Sequence, residues 1–207
     1  GSKAAVITDD TVASLYLDQV VQSLSAAGYT VVSYIFPHGE DSKSAETLFR
    51  VYDFLIEEQL TRSDFIVALG GGVVGDLAGY AAATYLRGIR FMQVPTTFLA
   101  AVDSSVGGKT AINIPAGKNL IGAFWQPSLV VCDTETFKTL PAVTFADGVA
   151  ETIKYGMISS ALLFERMEQG NIMPEIDEII AHCVSIKRDV VEQDEHDNGL
   201  RMILNYG

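Results

Sequence analysis

Four short apolar runs punctuate the first hundred residues: KAAVIT (3–8), TVVSYIF (30–36), FIVAL (65–69) and FMQVP (91–95). Each is rich in β-branched or aromatic residues and is bounded by polar residues, proline or glycine, which predicts strands. FIVAL is apolar without alternation, the pattern of a strand covered on both faces. Between the runs the apolar period changes. Val12, Leu15, Tyr16, Val20 and Leu24 recur at near-helical spacing and stop at Gly28, which predicts a helix over 11–27. Leu48, Val51, Phe54, Leu55 and Leu60 predict a second over 44–60, and the alanine-rich DLAGYAAATYL a third after three glycines. The series β-α-β-α-β-α-β predicts an α/β fold with a mainly parallel sheet.

From Pro141 the texture changes. ADGVAETIKYGMISSALLFERME (146–168) and PEIDEIIAHCVSIKRDVVEQ (174–193) carry helical periodicity, and no further strand pattern follows. The expected organisation is an α/β domain over 1–140 and the beginning of an all-α domain over 141–207.

Net charge is −12, which disfavours nucleic acid and anionic membrane as partners. A phosphorylated substrate stays open, because a few lysines in a cleft outweigh distant surface charge. No run is long enough to span a bilayer, no secretory signal is visible, and the opening Gly-Ser reads as a tag scar. Cys132 and Cys183 form no C-x-x-C pair, as expected of reduced thiols in a cytoplasmic protein.

LGGGVVGD (69–76) ends the third predicted strand and opens the third predicted helix. Gly70, Gly72 and Gly75 have the G-x-G-x-x-G spacing that lets a backbone approach a pyrophosphate at a helix start. The acid expected about 20 residues on is missing, since no acidic residue lies between Asp76 and Asp103. The turn also follows the third strand instead of the first. A nucleotide turn and a plain tight turn both remain open on spacing alone. VGGKT (106–110) is no P-loop, because Asp103 stands where that motif needs its first glycine.

Lys187 falls on the same helical stripe as Ile176, Ile180, Cys183 and Val190, so it either snorkels to a rim or points into a cleft. Glu151 and Lys154, three apart, are either an ordinary ion pair or a carboxylate metal ligand beside an anion-binding ammonium. Lys109, Lys118, Lys154, Lys187 and Arg201 are five of the fourteen basic residues, and all lie near glycines or on apolar faces. Such a set in an acidic protein predicts a nucleotide-assisted enzyme with an anionic substrate.

The ordered run GGGVVGD, VPTTFLAAVDSSVGGKTAIN, GKNLIGAFWQP, GVAETIKYG and DEHDNGLRMILNYG resembles the 3-dehydroquinate synthase family over nearly the whole chain. The resemblance implies a Rossmann-like NAD-binding α/β domain, then a helical metal-binding domain, in a lyase of the shikimate pathway. Implied NAD contacts are His38, Gly39, Glu40, Asp41, Ser42, Lys43, Gly72, Val73, Val74, Gly75, Asp76, Thr96 and Thr97, with Lys109, Lys118, Thr136, Phe137, Lys138 and Thr139. Implied substrate contacts are Asp103, Lys109, Lys118, Asn119, Lys154, Lys187, Arg201 and Asn205, and Glu151 is the implied first ligand of a zinc or cobalt ion. A homodimer is also implied.

In the family, histidines beyond LNYG complete the metal site. His38, His182 and His196 do not occupy those positions, so this chain alone is expected to be inactive. Asp197 stands where the family often has glutamate, and the connector around EQGNIMPE is short. Polyol dehydrogenases of the glycerol dehydrogenase type share the implied architecture, and other sugar phosphate cyclases are closer. A non-catalytic NAD-binding remnant is the third alternative. Arg201 and Asn205 within GLRMILNYG favour the synthase.

Overall fold

A computed structural model describes residues 1–206. The chain forms two compact units. One comprises Gly1–Pro95 and Gly108–Val131; the other comprises Thr96–Gly107 and the chain from Cys132 onward. The units divide at 131/132, with an excursion at 96–107. The reason is packing: Phe98, Ala101 and Val102 are buried in one cluster with Phe137, Tyr155, Ile179 and Cys183, so this early segment fills the core of the helical unit.

In the first unit, strands β1 (Lys3–Asp9), β2 (Thr30–Phe36), β3 (Phe65–Gly70), β4 (Arg90–Pro95) and β7 (Leu129–Val130) form one sheet in the order β2-β1-β3-β4-β7. Every pairing is parallel. Alternate residues of β1 and β3 face opposite ways. Ala5, Ile7, Ile66 and Ala68 meet helices α2 (Ala45–Glu57) and α3 (Gly72–Thr84), while Ala4, Val6, Val67 and Leu69 meet helix α1 (residues 10–26). Both faces being covered explains the unbroken apolar runs. Helix α1 contains a π turn at Ala13–Leu17 and stops where Gly28 takes φ +91°.

The four anticipated strands are present. A hairpin was not anticipated: β5 (Lys109–Ile114) pairs antiparallel with β6 (Gly117–Phe124). It packs close to α3, where a Cβ on Gly79 would lie 2.5 Å from Thr110 Cγ2.

Asp64 staples the amino-terminal edge of the sheet. Its carboxylate accepts from the backbone N–H of Ser2 (3.0 Å), Lys3 (2.9 Å) and Thr61 (2.8 Å), and from the Thr61 hydroxyl (2.7 Å). Burial alone would raise its pKa, but these donors outweigh burial and hold it down at about 2. A depressed carboxylate stabilises the fold above its unfolded pKa and loses that contribution as pH falls through the folded value. Asp64→Ala is expected to cost about 2 kcal/mol at pH 7. The loss should shrink between pH 4 and pH 2, measured as urea midpoints of the two proteins; a pH-independent difference would rule this account out.

In the second unit, a π-helical turn (Ala100–Ser104) and a 3₁₀ helix (Thr134–Thr139) precede helices α4 (Ala142–Ser159), α5 (Ala161–Glu168) and α6 (Ile176–Gln193), and a 3₁₀ helix (Leu200–Asn205) follows. Among the described residues, no helix is long and apolar enough to cross a membrane.

Candidate nucleotide and anion sites

Strand order reverses between β1 and β3: the chain moves from β1 to β2 on one side, and from β3 to β4 and β7 on the other. In such sheets ligands bind at the carboxyl ends of the strands flanking the switch. The glycine turn follows β3 at that point. Helix α3 begins there with Gly71 as N-cap and no side-chain cap, whereas α2 is capped by the Ser44 hydroxyl. Its first N–H groups are thus not occupied by a capping side chain. Gly75 has a different role. A Cβ there would lie 2.6 Å from Gln93 Oε1, so this glycine lets the helix approach β4.

The loop after β2 joins the same unit. Gly39 takes φ +104°, and exposed His38 lies 2.7 Å from Asp10 Oδ1 through Nδ1. Lys43, only 4% exposed, forms an ion pair with Asp76 and donates to Asn119 Oδ1 at 2.6 Å. Glu40 accepts from Asn113 Nδ2 at 2.8 Å and lies 3.8 Å from the Lys118 ammonium. Asn113 Oδ1 in turn accepts from the Asn119 N–H at 2.9 Å, with Asn119 at φ +56°. A groove of about 510 Å³ lies along these residues, with Asp41 also on its wall. Residue spacing gave no sign that Lys43 would be buried, nor that Asn119 would bind it. Ser42 is half-buried, Lys109 is exposed at the start of β5, and Val74 is buried in the first turn of α3.

The remaining residues of the implied nucleotide set lie in the second unit. Thr96 is buried, and Thr97 Oγ1 accepts from the Ala100 N–H at 3.1 Å. In the 3₁₀ helix, Thr136 and Thr139 donate to carbonyls of Asp133 (2.7 Å) and Thr136 (2.9 Å), and Lys138 pairs with Glu135 at 2.7 Å. Phe137 belongs to the core.

Three elements of the second unit converge on Asp103. The π turn carries Asp103 itself, α4 carries Glu151, Lys154 and Tyr155 on one face, and α6 carries Lys187. Asp103 Oδ1 accepts from Tyr155 Oη at 2.6 Å and from Lys187 Nζ at 3.0 Å, and Lys187 also donates to the Asp103 carbonyl at 2.7 Å. Lys154 Nζ stands 4.0 Å from Oδ1, pairs with Glu151, and lies 5.0 Å from the centre of the Tyr155 ring. Burial would raise the Asp103 pKa, but Lys187, the Tyr155 hydroxyl and Lys154 overcome it and hold the carboxyl below its usual range. Burial drives the Lys187 pKa down, against the opposing pull of Asp103. Lys187 neither snorkels nor stands alone: it is a buried ammonium tied to a carboxylate.

Arg201 lies between loops of the second unit. It is 1% exposed, and its guanidinium donates to the carbonyls of Gly107 (2.7 Å) and Glu195 (2.6 Å), linking two loops. Gly107, at φ +96°, is required there, because a Cβ would lie 2.5 Å from Arg201 Nη2. Asp194 was missed by motif reading. It organises the following loop by accepting the N–H groups of Asn198 (2.9 Å), Gly199 (2.8 Å) and Arg201 (3.0 Å). Asn205 is exposed. The five singled-out cations are thus divided, Lys109 and Lys118 in the first unit and Lys154, Lys187 and Arg201 in the second.

Glu151 offers a buried oxygen, Oε2, with the Lys154 ammonium beside it and no hydrogen bond. Among the described residues, no group of three or more histidine, cysteine, aspartate or glutamate side chains is arranged to hold a metal ion. One ligand therefore fits a metal, and a complete set does not.

Comparison with known proteins places the chain. The family profile described as 3-dehydroquinate synthase N-terminal matches residues 33–147, and that described as 3-dehydroquinate synthase C-terminal matches 148–207. The 3-dehydroquinate synthase of Geobacter metallireducens is 54% identical over all of this chain and 59% of its own length. That of Pelobacter propionicus is 55% identical over 99% of the chain and 59% of its own. The chain therefore spans about three-fifths of the length of these relatives. Among solved structures, 2-epi-5-epi-valiolone synthase from Streptomyces hygroscopicus, with NAD+ and Zn2+ bound, superposes with TM-score 0.90 at 26% identity. The match covers 99% of this chain and 60% of that one. A 2-deoxy-scyllo-inosose synthase complexed with carbaglucose-6-phosphate, NAD+ and Co2+ gives 0.88 at 28%, over 99% and 58% of the two chains. Glycerol dehydrogenase from Schizosaccharomyces pombe, at 18% identity and TM-score 0.63 over 90% of this chain and 54% of its own, shares the fold alone. With both profiles matched in order and half the residues identical to curated synthases, this chain belongs to the 3-dehydroquinate synthase family.

Proposed function

We propose that the protein carrying this chain is a 3-dehydroquinate synthase. It would convert 3-deoxy-D-arabino-heptulosonate 7-phosphate to 3-dehydroquinate and inorganic phosphate, as a cytoplasmic homodimer. The observation that carries this reading is the pair of ammonium groups, Lys154 and Lys187, held around Asp103 in a chain 54% identical to a curated synthase. NAD, when bound, supplies a temporary hydride acceptor for the C5 alcohol, which acidifies the adjacent C–H, permits phosphate loss, and leaves no net redox change.

The uncapped start of α3 at a topological switch point suits the pyrophosphate of such a cofactor. Gly72, Val73, Val74, Gly75 and Asp76 would hold it, with His38, Gly39, Glu40, Asp41, Ser42, Lys43, Thr96, Thr97, Lys109, Lys118, Thr136, Phe137, Lys138 and Thr139. Lys154 and Lys187 would bind the carboxylate and phosphate of the substrate by charge-assisted hydrogen bonds. Asp103 engages both enzyme donors through Oδ1, which leaves Oδ2 to orient a substrate hydroxyl. Lys109, Lys118, Asn119, Arg201 and Asn205 complete the proposed substrate set, with Arg201 acting through the Gly107 and Glu195 loops. The closing intramolecular aldol step requires chiefly that the chain be held folded. Glu151 is proposed as one ligand of a zinc or cobalt ion; with the ligand set incomplete here, no step is derived through it.

The test is phosphate release from the sugar acid phosphate by a polypeptide of the relatives' full length containing this chain, with NAD+ and Zn2+, followed in parallel at 340 nm. Phosphate should appear without net NADH, and Lys154→Ala should lower kcat/KM by about 10- to 100-fold. Steady NADH formation with polyols and no phosphate would sink the assignment and favour a dehydrogenase.

A further inference from the structure

We propose that Tyr155 is a positioning residue of the anion site: its hydroxyl clamps the Asp103 carboxylate so that Lys187 keeps a fixed orientation and Lys154 is not drawn into a second carboxylate contact beyond Glu151. This rests on the reading of those lysines as the groups that hold the substrate's anionic ends.

The geometry is specific. The Tyr155 ring is fully buried, in the same core cluster as Phe98, Leu163 and Cys183, so the phenol has little freedom to point elsewhere. Its oxygen is 2.6 Å from Asp103 Oδ1, closer than Lys187 at 3.0 Å and Lys154 at 4.0 Å. Burial and the neighbouring Asp103 charge push the phenol pKa far above its ordinary value, so it remains an O–H donor throughout the working range.

Lys187 is tied to Asp103 through both the side chain and the carbonyl, which fixes its ammonium as long as the carboxylate keeps one orientation. Lys187, at 3.0 Å, already holds Asp103 Oδ1, so a carboxylate that lost the tyrosine donor would be free to turn toward Lys154, the second ammonium beside it at 4.0 Å. That ammonium, already paired with Glu151, would then carry a second carboxylate that the substrate would have to displace. Tyr155 thus acts through Asp103 on two lysines without itself touching the reacting atoms.

The experiment uses the full-family-length protein with Tyr155→Phe, Asp103→Asn and the double variant. Two readouts are combined: steady-state phosphate release, and acylation of individual lysines by an amine-reactive ester, quantified by peptide mass spectrometry with exposed Lys138 as the internal reference. In Tyr155→Phe, Lys187 labelling should rise about fivefold relative to Lys138, and KM about tenfold, with kcat changed less than about threefold. Adding Tyr155→Phe to Asp103→Asn should change neither readout further, because the clamp acts only through that carboxylate.

Unchanged Lys187 labelling in Tyr155→Phe would overturn the proposal. So would additive effects in the double variant, or a general rise in labelling of all lysines together with a lower Tm and an unaltered KM, which is the signature of loosened packing. If the wild-type protein releases no phosphate, the functional reading fails on its own, and the labelling ratio and its non-additivity still decide whether the clamp exists.

Discussion

Asp103→Asn is expected to destabilise the second unit by about 3 kcal/mol at pH 7, because it leaves the Lys187 ammonium buried without its counter-charge. Lys187 is 7% exposed as a residue, and after the substitution its acceptors at position 103, the backbone carbonyl and the carboxamide oxygen, are both uncharged. Lys187→Met should cost less, about 2 kcal/mol, since Asp103 keeps the Tyr155 hydroxyl and has Lys154 at 4.0 Å. The double variant Asp103→Asn/Lys187→Met should be more stable than the sum of the singles implies, which a double-mutant cycle by urea denaturation measures.

The pH dependence gives a second check. Burial already lowers the Lys187 pKa, and loss of the Asp103 charge lowers it further. A lysine whose folded pKa lies below its unfolded value penalises the fold while it is charged, and the penalty fades as pH rises through the folded pKa. The gap between Asp103→Asn and wild type should therefore narrow from pH 7 to pH 9.5. A gap that widens would mean that the buried ammonium is not the source of the instability.

Gly148→Ala should be nearly as costly, at about 2–3 kcal/mol, although alanine is the better helix former. A Cβ at 148 would lie 2.5 Å from Phe98 Cδ1 and 2.7 Å from the backbone nitrogen of Leu99, so relief requires moving main chain as well as a ring. Phe98 has little room to yield, being stacked on Phe145 at 4.9 Å and packed against Phe137 at 5.7 Å. The segment displaced leads directly into the Asp103 turn, so the variant should lose phosphate release as well as stability. A Gly148→Ala protein with wild-type Tm would show that α4 slides freely over this segment.

The parallel sheet was legible because each central strand is apolar on both faces, two of the intervening helices carry a stripe and the third is alanine-rich, so local pattern and final environment agree. The hairpin was not. β6 is almost wholly exposed, and GKNLIGAF offers glycine and lysine in place of an alternating pattern. Lys187 was legible as an anomaly on an apolar stripe, but its partner lies 84 residues away. Tyr155 gave no signal at all, since an aromatic on a helix face usually means core, and here it is core with one functional atom. Arg201 shows another limit: motif position singled it out, while the contacts described for it run to backbone carbonyls, which no side-chain pattern reveals.

The excursion of residues 96–107 also determines how such a protein can be cut or recombined. The chain passes between its two units three times, after Pro95, after Gly107 and after Val131. A single crossover at 131 or 140 would hand the recipient a helical module missing Phe98, Ala101 and Val102 from its interior and Asp103 from its charge cluster. Neither unit is an exchangeable cassette. Any graft of the helical part must bring a twelve-residue passenger encoded within the other one.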